Sequence, residues 1–273
     1  MWCSWIVSFI CVHIVKHKFA LIELARDFMN SLVEPFMIHK AGFTGTEYNE
    51  PSWYISTLLL TMLLIVIPLY KYKDKYIYII APTIGIFLLG YLCHNYKTIG
   101  SPNKWSVIMY KGQIRAIAEV NLGIFVYGLR QYVTDIHLTK LGKWVFTIIE
   151  GSLYIAIILF MQYGHESIID FSVILLWAIA ILISMTQETY FHDWTGYIAR
   201  SATWTGKFSL YIYLNQAVWY KTLPIVFPNM VYTKICMIYV VATVITAFIV
   251  MKIVELLQKK GLPKLKTLLV ESY

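Results

Sequence analysis

The chain has 273 residues, of which 59% are apolar and only 14% charged, with a mean hydropathy of +0.63. A soluble globular domain is about 45–50% apolar and about 25% charged, so this chain cannot cover itself with enough charge to stay in water, and soluble enzyme folds are excluded. The net charge of +8 comes from Lys and Arg spread through short polar stretches. There is no basic stripe of the kind that binds nucleic acid, so these cations are read as orientation signals at a membrane surface.

Long unbroken apolar runs, rather than short alternating ones, exclude a transmembrane β-barrel. The 21 Tyr and 9 Trp suit side chains that anchor at the lipid–water boundary. A crossing needs about 20 apolar residues, which predicts eight spans near 2–16, 52–70, 76–94, 115–133, 144–163, 171–187, 208–227 and 235–257. The expected fold is all-α, a polytopic transmembrane helix bundle of about eight spans forming one integral-membrane domain over residues 1–273.

In chain order, the first span lacks the charged start and small-residue cleavage site of a signal peptide. The connection His17–Glu50 begins with Phe19–Met29, whose amphipathic spacing predicts a helix lying in the interface. Ala41-Gly-Phe-Thr-Gly-Thr46 follows as a turn-rich approach to the second span. Two further loops are expected, Asn95–Gly112 with its turn at Gly100–Asn103, and Glu188–Lys207 with Trp194-Thr-Gly and Trp204-Thr-Gly. The densest cation clusters, Lys71–Lys75 and Lys252–Lys266, fall on the same side when the spans alternate, and are expected to face the cytoplasm. Cys3, Cys11, Cys93 and Cys236 lie far apart with no metal or redox spacing.

Ionisable groups inside spans default to functional or interior positions. Arg115 and Glu119, four apart, share a helix face, while Asn121 lies on another. Two readings of the pair stand side by side. One is an internal ion pair or an arginine snorkelling to the interface; the other is a polar cavity that grips an oxygen-rich substrate at the outer boundary. Glu150 has no sequence partner and reads as a packing or hydrogen-bonding group. His13 and His17 are four apart without a third ligand, so no metal site is expected. His165 and Asp170 have an H-x-x-x-x-D spacing that one chance match supplies. His192-Asp193 reads as a solvated pair or as a base with its orienting partner. His13 and His192 are the only catalytic candidates among the histidines, and both are weak ones.

Three stretches resemble the acyltransferase-three family of membrane O-acyltransferases, bacterial enzymes that acetylate capsule, O-antigen and other envelope sugars. Asn49-Glu-Pro-Ser-Trp53-Tyr54-Ile-Ser56 is similar to the family's N-G-x-x-W-Y-[LI]-S-x-L helix start. Ile114-Arg115-Ala-Ile-Ala-Glu119-Val-Asn-Leu-Gly123 is similar to its R-x-[IL]-x-x-x-x-L-G. Gly206-Lys-Phe-Ser209-Leu-Tyr211-Ile-Tyr213-Leu-Asn215-Gln216 resembles its late G-x-x-S-x-x-I-Y-L-x-H, with Gln216 standing where the family has His. The order and spacing agree from about residue 50 onward.

The resemblance implies transfer of an acetyl or other acyl group from acyl-CoA, used as a donor substrate and not held as a bound cofactor, to a hydroxyl of a polysaccharide or lipid-linked sugar. It places the protein in a bacterial inner membrane, in contact with lipid. It also implies a substrate cavity lined by Trp53, Tyr54, Ser56, Arg115, Glu119, Tyr213, Asn215 and Gln216. The family's first span carries an Arg followed about ten residues later by its catalytic His. Aligned on the three stretches, this chain begins at the family's third span, so the resemblance implies that the chain alone does not transfer acetyl groups. The alternative reading is a non-catalytic or polymerase-like membrane component of a polysaccharide locus. A polymerase would show a large outer loop with several arginines, whereas the longest connection here holds Arg26 alone.

Overall fold

The computed structural model describes residues 2–16, 20–43, 45–163 and 167–270, apart from the side chains of 194–200 and 260–270. His17, His165, the side chain of Trp194 and those of Lys264 and Lys266 therefore lie outside the described residues. The fold is all-α. Its helices are α1 (Trp2–Val15), α2 (Leu21–Ser31), α3 (Ser52–Lys75), α4 (Ala81–Tyr96), α5 (Lys111–Gly128), α6 (Arg130–Val133), α7 (Lys140–Tyr163), α8 (Asp170–Met185), α9 (Tyr190–Val226) and α10 (Tyr232–Val270). A π turn, Tyr76–Ile80, joins α3 to α4.

Among the described residues three stretches, not eight, are long and apolar enough to cross a membrane: Ser52–Tyr96, Lys140–Tyr163 and Tyr232–Lys259. These mark the chain as membrane-associated. The count differs from the expected one for physical reasons. The spans expected at 52–70 and 76–94 belong to one 45-residue helical stretch, because Lys71–Lys75 contains no glycine or proline and bends the helix only at Tyr72 (φ −118°, ψ 16°). With 14 and 16 residues, α1 and α8 reach only about 21–24 Å at 1.5 Å per residue, short of a core of about 30 Å. Helix α5 includes Lys111, Arg115 and Glu119. The loop expected at Glu188–Lys207 is instead mostly the first half of α9. Its glycines lower helix propensity without ending the helix.

The chain forms two compact units, one of residues 1–39, 43–52 and 200–273, the other of residues 40–42 and 53–199. In the first unit, α1 turns Trp5, Phe9 and Val12 inward, and Ile6, Ile10 and Ile14 outward, the two faces of a 3.6-residue period. The helix expected over 19–29 is present as α2 and is amphipathic. Its Leu24, Phe28 and the following Leu32, spaced four apart, meet the Trp5–Phe9 surface. Ile22 and Met29 on α2 stay exposed.

In the second unit α4 runs antiparallel to α5, with Gly85 opposite Ala118 and Leu122 and Gly128 opposite Ile77 and Tyr78. Both glycines allow this close approach. A Cβ on Gly85 would lie 2.6 Å from Leu122 Cγ, and one on Gly128 would lie 2.2 Å from Ile77 Cγ2. Tyr76 of the π turn donates to Asn121 Oδ1 at 2.8 Å, so Asn121 does meet a different neighbour from Arg115. Helix α8 packs on both α5 and α7.

Gly85→Ala should therefore destabilise the protein by about 1–3 kcal/mol relative to Gly90→Ala, since nothing lies within 4 Å of a Cβ built on Gly90. Thermal unfolding of the two variants in detergent measures the difference. Equal midpoints would contradict the close α4–α5 packing.

Candidate functional site

A cavity of about 690 Å³ lies in the second unit between α5 and α8, with Phe160 and Met161 of α7, Ile99 and Gly100 of the connecting loop, and Tyr54 of α3 also in its wall. Its polar part is built around Arg115 and Glu119. Arg115 Nε donates to Glu119 Oε1 at 2.6 Å, and Nη1 reaches the Ile99 carbonyl at 3.4 Å. Both side chains are about one-quarter exposed, so the pair is neither sealed in the core nor solvated. The ion pair is thus present, and both of its residues line a cavity.

Asp170, at the start of α8, lines the same cavity. Its Oδ2 accepts from Thr98 Oγ1 at 2.8 Å and from the backbone N–H groups of Ser167 and Ile99 at 3.3 and 3.4 Å, which ties the 98–100 loop to α8. Beyond these groups the wall is apolar and aromatic, with Leu122, Val126, Val173, Ile174, Trp177 and Ile181. The cavity therefore has a polar end suited to hydroxyl groups and an apolar remainder.

The other expected binding residues are dispersed. Trp53 stacks edge-on against Tyr54 at 5.8 Å and packs beside Gly112. Ser56 is buried and accepts the Lys40 N–H at 3.4 Å. In the first unit Tyr213 donates to the Pro51 carbonyl, Asn215 is fully buried and donates to Tyr211 O at 2.7 Å, and Gln216 accepts from Tyr239 at 3.3 Å. None of these lines the cavity around Arg115 and Glu119. Of the residues expected there, it gathers Tyr54, Arg115 and Glu119.

The histidine candidates lie elsewhere. His13 Nδ1 bonds the Phe9 carbonyl at 2.8 Å and Nε2 faces Asp27 Oδ2 at 3.3 Å, so both ring nitrogens are occupied. His192 lines a cavity of about 340 Å³ with Tyr127, Arg130 and Tyr154. Its neighbour Asp193 turns to Lys143 Nζ at 2.9 Å and forms an ion pair there. Glu150 is buried and accepts from Tyr154 on its own helix at 2.8 Å, a hydrogen-bonding role as expected. Among the described residues no group of three His, Cys, Asp or Glu side chains could hold a metal ion.

Sequence reasoning missed Glu34. This fully buried carboxylate accepts the Tyr48 and Asn49 N–H groups at 2.7 and 2.8 Å and Ser52 Oγ at 3.3 Å. It closes the turn ahead of α3, and Asn49 Nδ2 in turn donates to the Leu214 carbonyl at 2.7 Å. Burial pushes the Glu34 carboxyl up from 4.5 to about 7, against the lowering effect of the two N–H bonds.

A carboxyl raised in the folded state binds more protons there than in the unfolded chain. Its contribution is therefore fully present below about pH 4.5 and lost as pH rises through about 7, a change of about 3 kcal/mol. Thermal unfolding in detergent between pH 5 and 8 should show Glu34→Gln falling less steeply with pH than the parent chain. Parallel curves would contradict the raised carboxyl.

No family model matches the chain, and neither does any curated protein or solved structure.

Proposed function

We propose that the chain is a polytopic membrane O-acyltransferase that moves an acetyl or other acyl group from acyl-CoA to a hydroxyl of an envelope polysaccharide or lipid-linked sugar. The observation that supports this reading is convergence. Tyr54, from the first stretch resembling the acyltransferase-three family, and Arg115, Glu119 and Gly123, from the second, line one cavity although they lie some 60 residues apart in sequence. In this reading, Glu119 and Asp170 accept sugar hydroxyls, Arg115 donates to sugar oxygens, and the flat faces of Tyr54 and Trp177 pack on the ring. The apolar wall takes the lipid or acyl portion.

The transfer forms a bond from the sugar oxygen to the acyl carbon and breaks the thioester C–S bond, and the hydroxyl proton passes through a base to the departing thiolate. The carboxylates at the cavity are poor candidates for that base. Glu119 is engaged by Arg115 at 2.6 Å, and Asp170 holds three donors. The resemblance puts the base on the Arg…His segment of the family's first span. It also supports an inner-membrane location, and the cation cluster Lys71–Lys75 favours the cytoplasmic side for that segment.

Radiolabelled acetyl incorporation into envelope polysaccharide is measured in cells expressing the chain alone, or together with a pair of family spans bearing the Arg…His motif. Incorporation is expected in the second case only, and Arg115→Gln should lower it about 10²-fold, as loss of a positioned donor does. Incorporation by the chain alone would place the base within it. Failure in both cases, with the protein inserted, would overturn the reading.

Lys73→Cys, in a background without the native cysteines, should resist an impermeant thiol reagent in intact cells and react in lysed ones. Labelling in intact cells would reverse the proposed orientation.

A further inference from the structure

The cavity between α5 and α8 extends well past its polar end. On α5 it is lined by Arg115, Glu119, Leu122, Gly123 and Val126, and on α8 by Asp170, Val173, Trp177 and Ile181, positions that share one face of each helix. Both faces begin at the same loop. Ile99 accepts from Arg115 Nη1 through its carbonyl and donates to Asp170 Oδ2 through its N–H, each at 3.4 Å. The charged groups therefore share one end, and the α5 lining continues about 10 Å beyond Glu119 to Val126, at 1.5 Å per residue. Along that length the lining side chains of α5 and α8 are apolar, apart from the Trp177 indole N–H.

Gly123 lies at the junction, one turn beyond Glu119. A glycine weakens a helix interior, and Gly85 and Gly128 repay that cost by close packing. No such contact explains Gly123, because a Cβ built there meets no described neighbour within 4 Å, and the residue is exposed. What the missing side chain leaves is a clear path from the polar end to the apolar one. Trp177 and Ile181 farther along are also exposed, so the groove is open along its side to a chain already in the bilayer.

Charge decides the kind of head. Arg115 and Glu119 compensate each other, and Asp170 is satisfied by neutral donors, so this end has no spare cation for a phosphate. Hydroxyl groups, which donate as well as accept, fit it. We infer that Gly123 determines specificity for an uncharged, lipid-linked acceptor. The hydroxylated head sits at Arg115, Glu119 and Asp170, and the apolar chain passes over Gly123 toward Val126 and Ile181. This role rests on the proposed acyl-transfer reading and narrows its acceptor from polysaccharide in general to a neutral glycolipid.

The test uses the full chain in detergent, with binding read by native mass spectrometry. Galactosyl diacylglycerol is the neutral glycolipid, phosphatidylglycerol its charged counterpart, and methyl galactoside a head without a chain. Selective retention of the glycolipid is expected, and Gly123→Leu should lower it about tenfold. Gly90→Leu, on an equally open glycine outside this cavity, should leave it unchanged. Ala178→Leu obstructs the same cavity from α8 and serves if Gly123→Leu fails to fold. Equal retention of phosphatidylglycerol, equal binding of methyl galactoside, no retention of the glycolipid, or retention that neither cavity substitution lowers would overturn the inference. Acetylation in cells supplied with the added family spans is a separate readout. Glycolipid binding without acetylation overturns only the enzymatic reading, and acetylation with binding indifferent to Gly123→Leu overturns only the role of Gly123.

Discussion

The 2.6 Å contact between Arg115 and Glu119 allows a charged helix segment to line an apolar cavity. An isolated guanidinium or carboxylate would be too costly against such a wall, but two opposite charges four residues apart on one helix answer each other without help from another element. That leaves the neighbouring surfaces free to pack. Helix α4 approaches α5 closely through Gly85 and Gly128, Tyr76 satisfies Asn121 behind the cavity, and α8 contributes the apolar wall and Asp170. With either partner removed, the other charge would have to leave the wall or draw in water.

The first unit meets the same constraint with different partners. At Glu34 the answering groups are neutral: its oxygens take two backbone N–H groups and one hydroxyl. Backbone donors are fixed by chain path, so the carboxylate in turn fixes the path of residues 48–52. Asn49, Tyr213 and Tyr220 extend this set of bonds to α9 through the Leu214 carbonyl, the Pro51 carbonyl and the Glu50 carboxylate. A short polar segment is thereby held at both its side chains and its backbone.

How legible all this is from residues alone depends on who the partner is. The amphipathic α2 can be read because its apolar positions repeat every four residues, and Arg115–Glu119 can be read because both partners lie in one helix. Asp27 answers His13 from 14 residues away on a different helix, a pairing no local pattern marks. Glu34 is still less visible, because backbone N–H groups have no sequence identity. The helix boundaries failed for another reason. Charge at Lys71–Lys75 and the glycines of 190–207 mark polarity and propensity, but neither compels a chain to leave the helix, and only Tyr72 departs from helical geometry within α3.

The kind of partner also decides what each acidic group can do. Glu34, enclosed by the backbone, has no face left for a ligand and acts only through its protonation state. Asp27 and His13 occupy each other at the edge of a cavity that Lys16, Glu47 and Lys221 also line. Glu119 is bound through one oxygen to a flexible arginine and stays about one-quarter exposed, so a hydroxyl-rich ligand can share the pair without breaking a buried bond. Binding there requires only that hydrogen bonds be redistributed around charges already compensated, so a neutral hydroxyl-bearing ligand fits the polar end of this cavity without uncovering a charge.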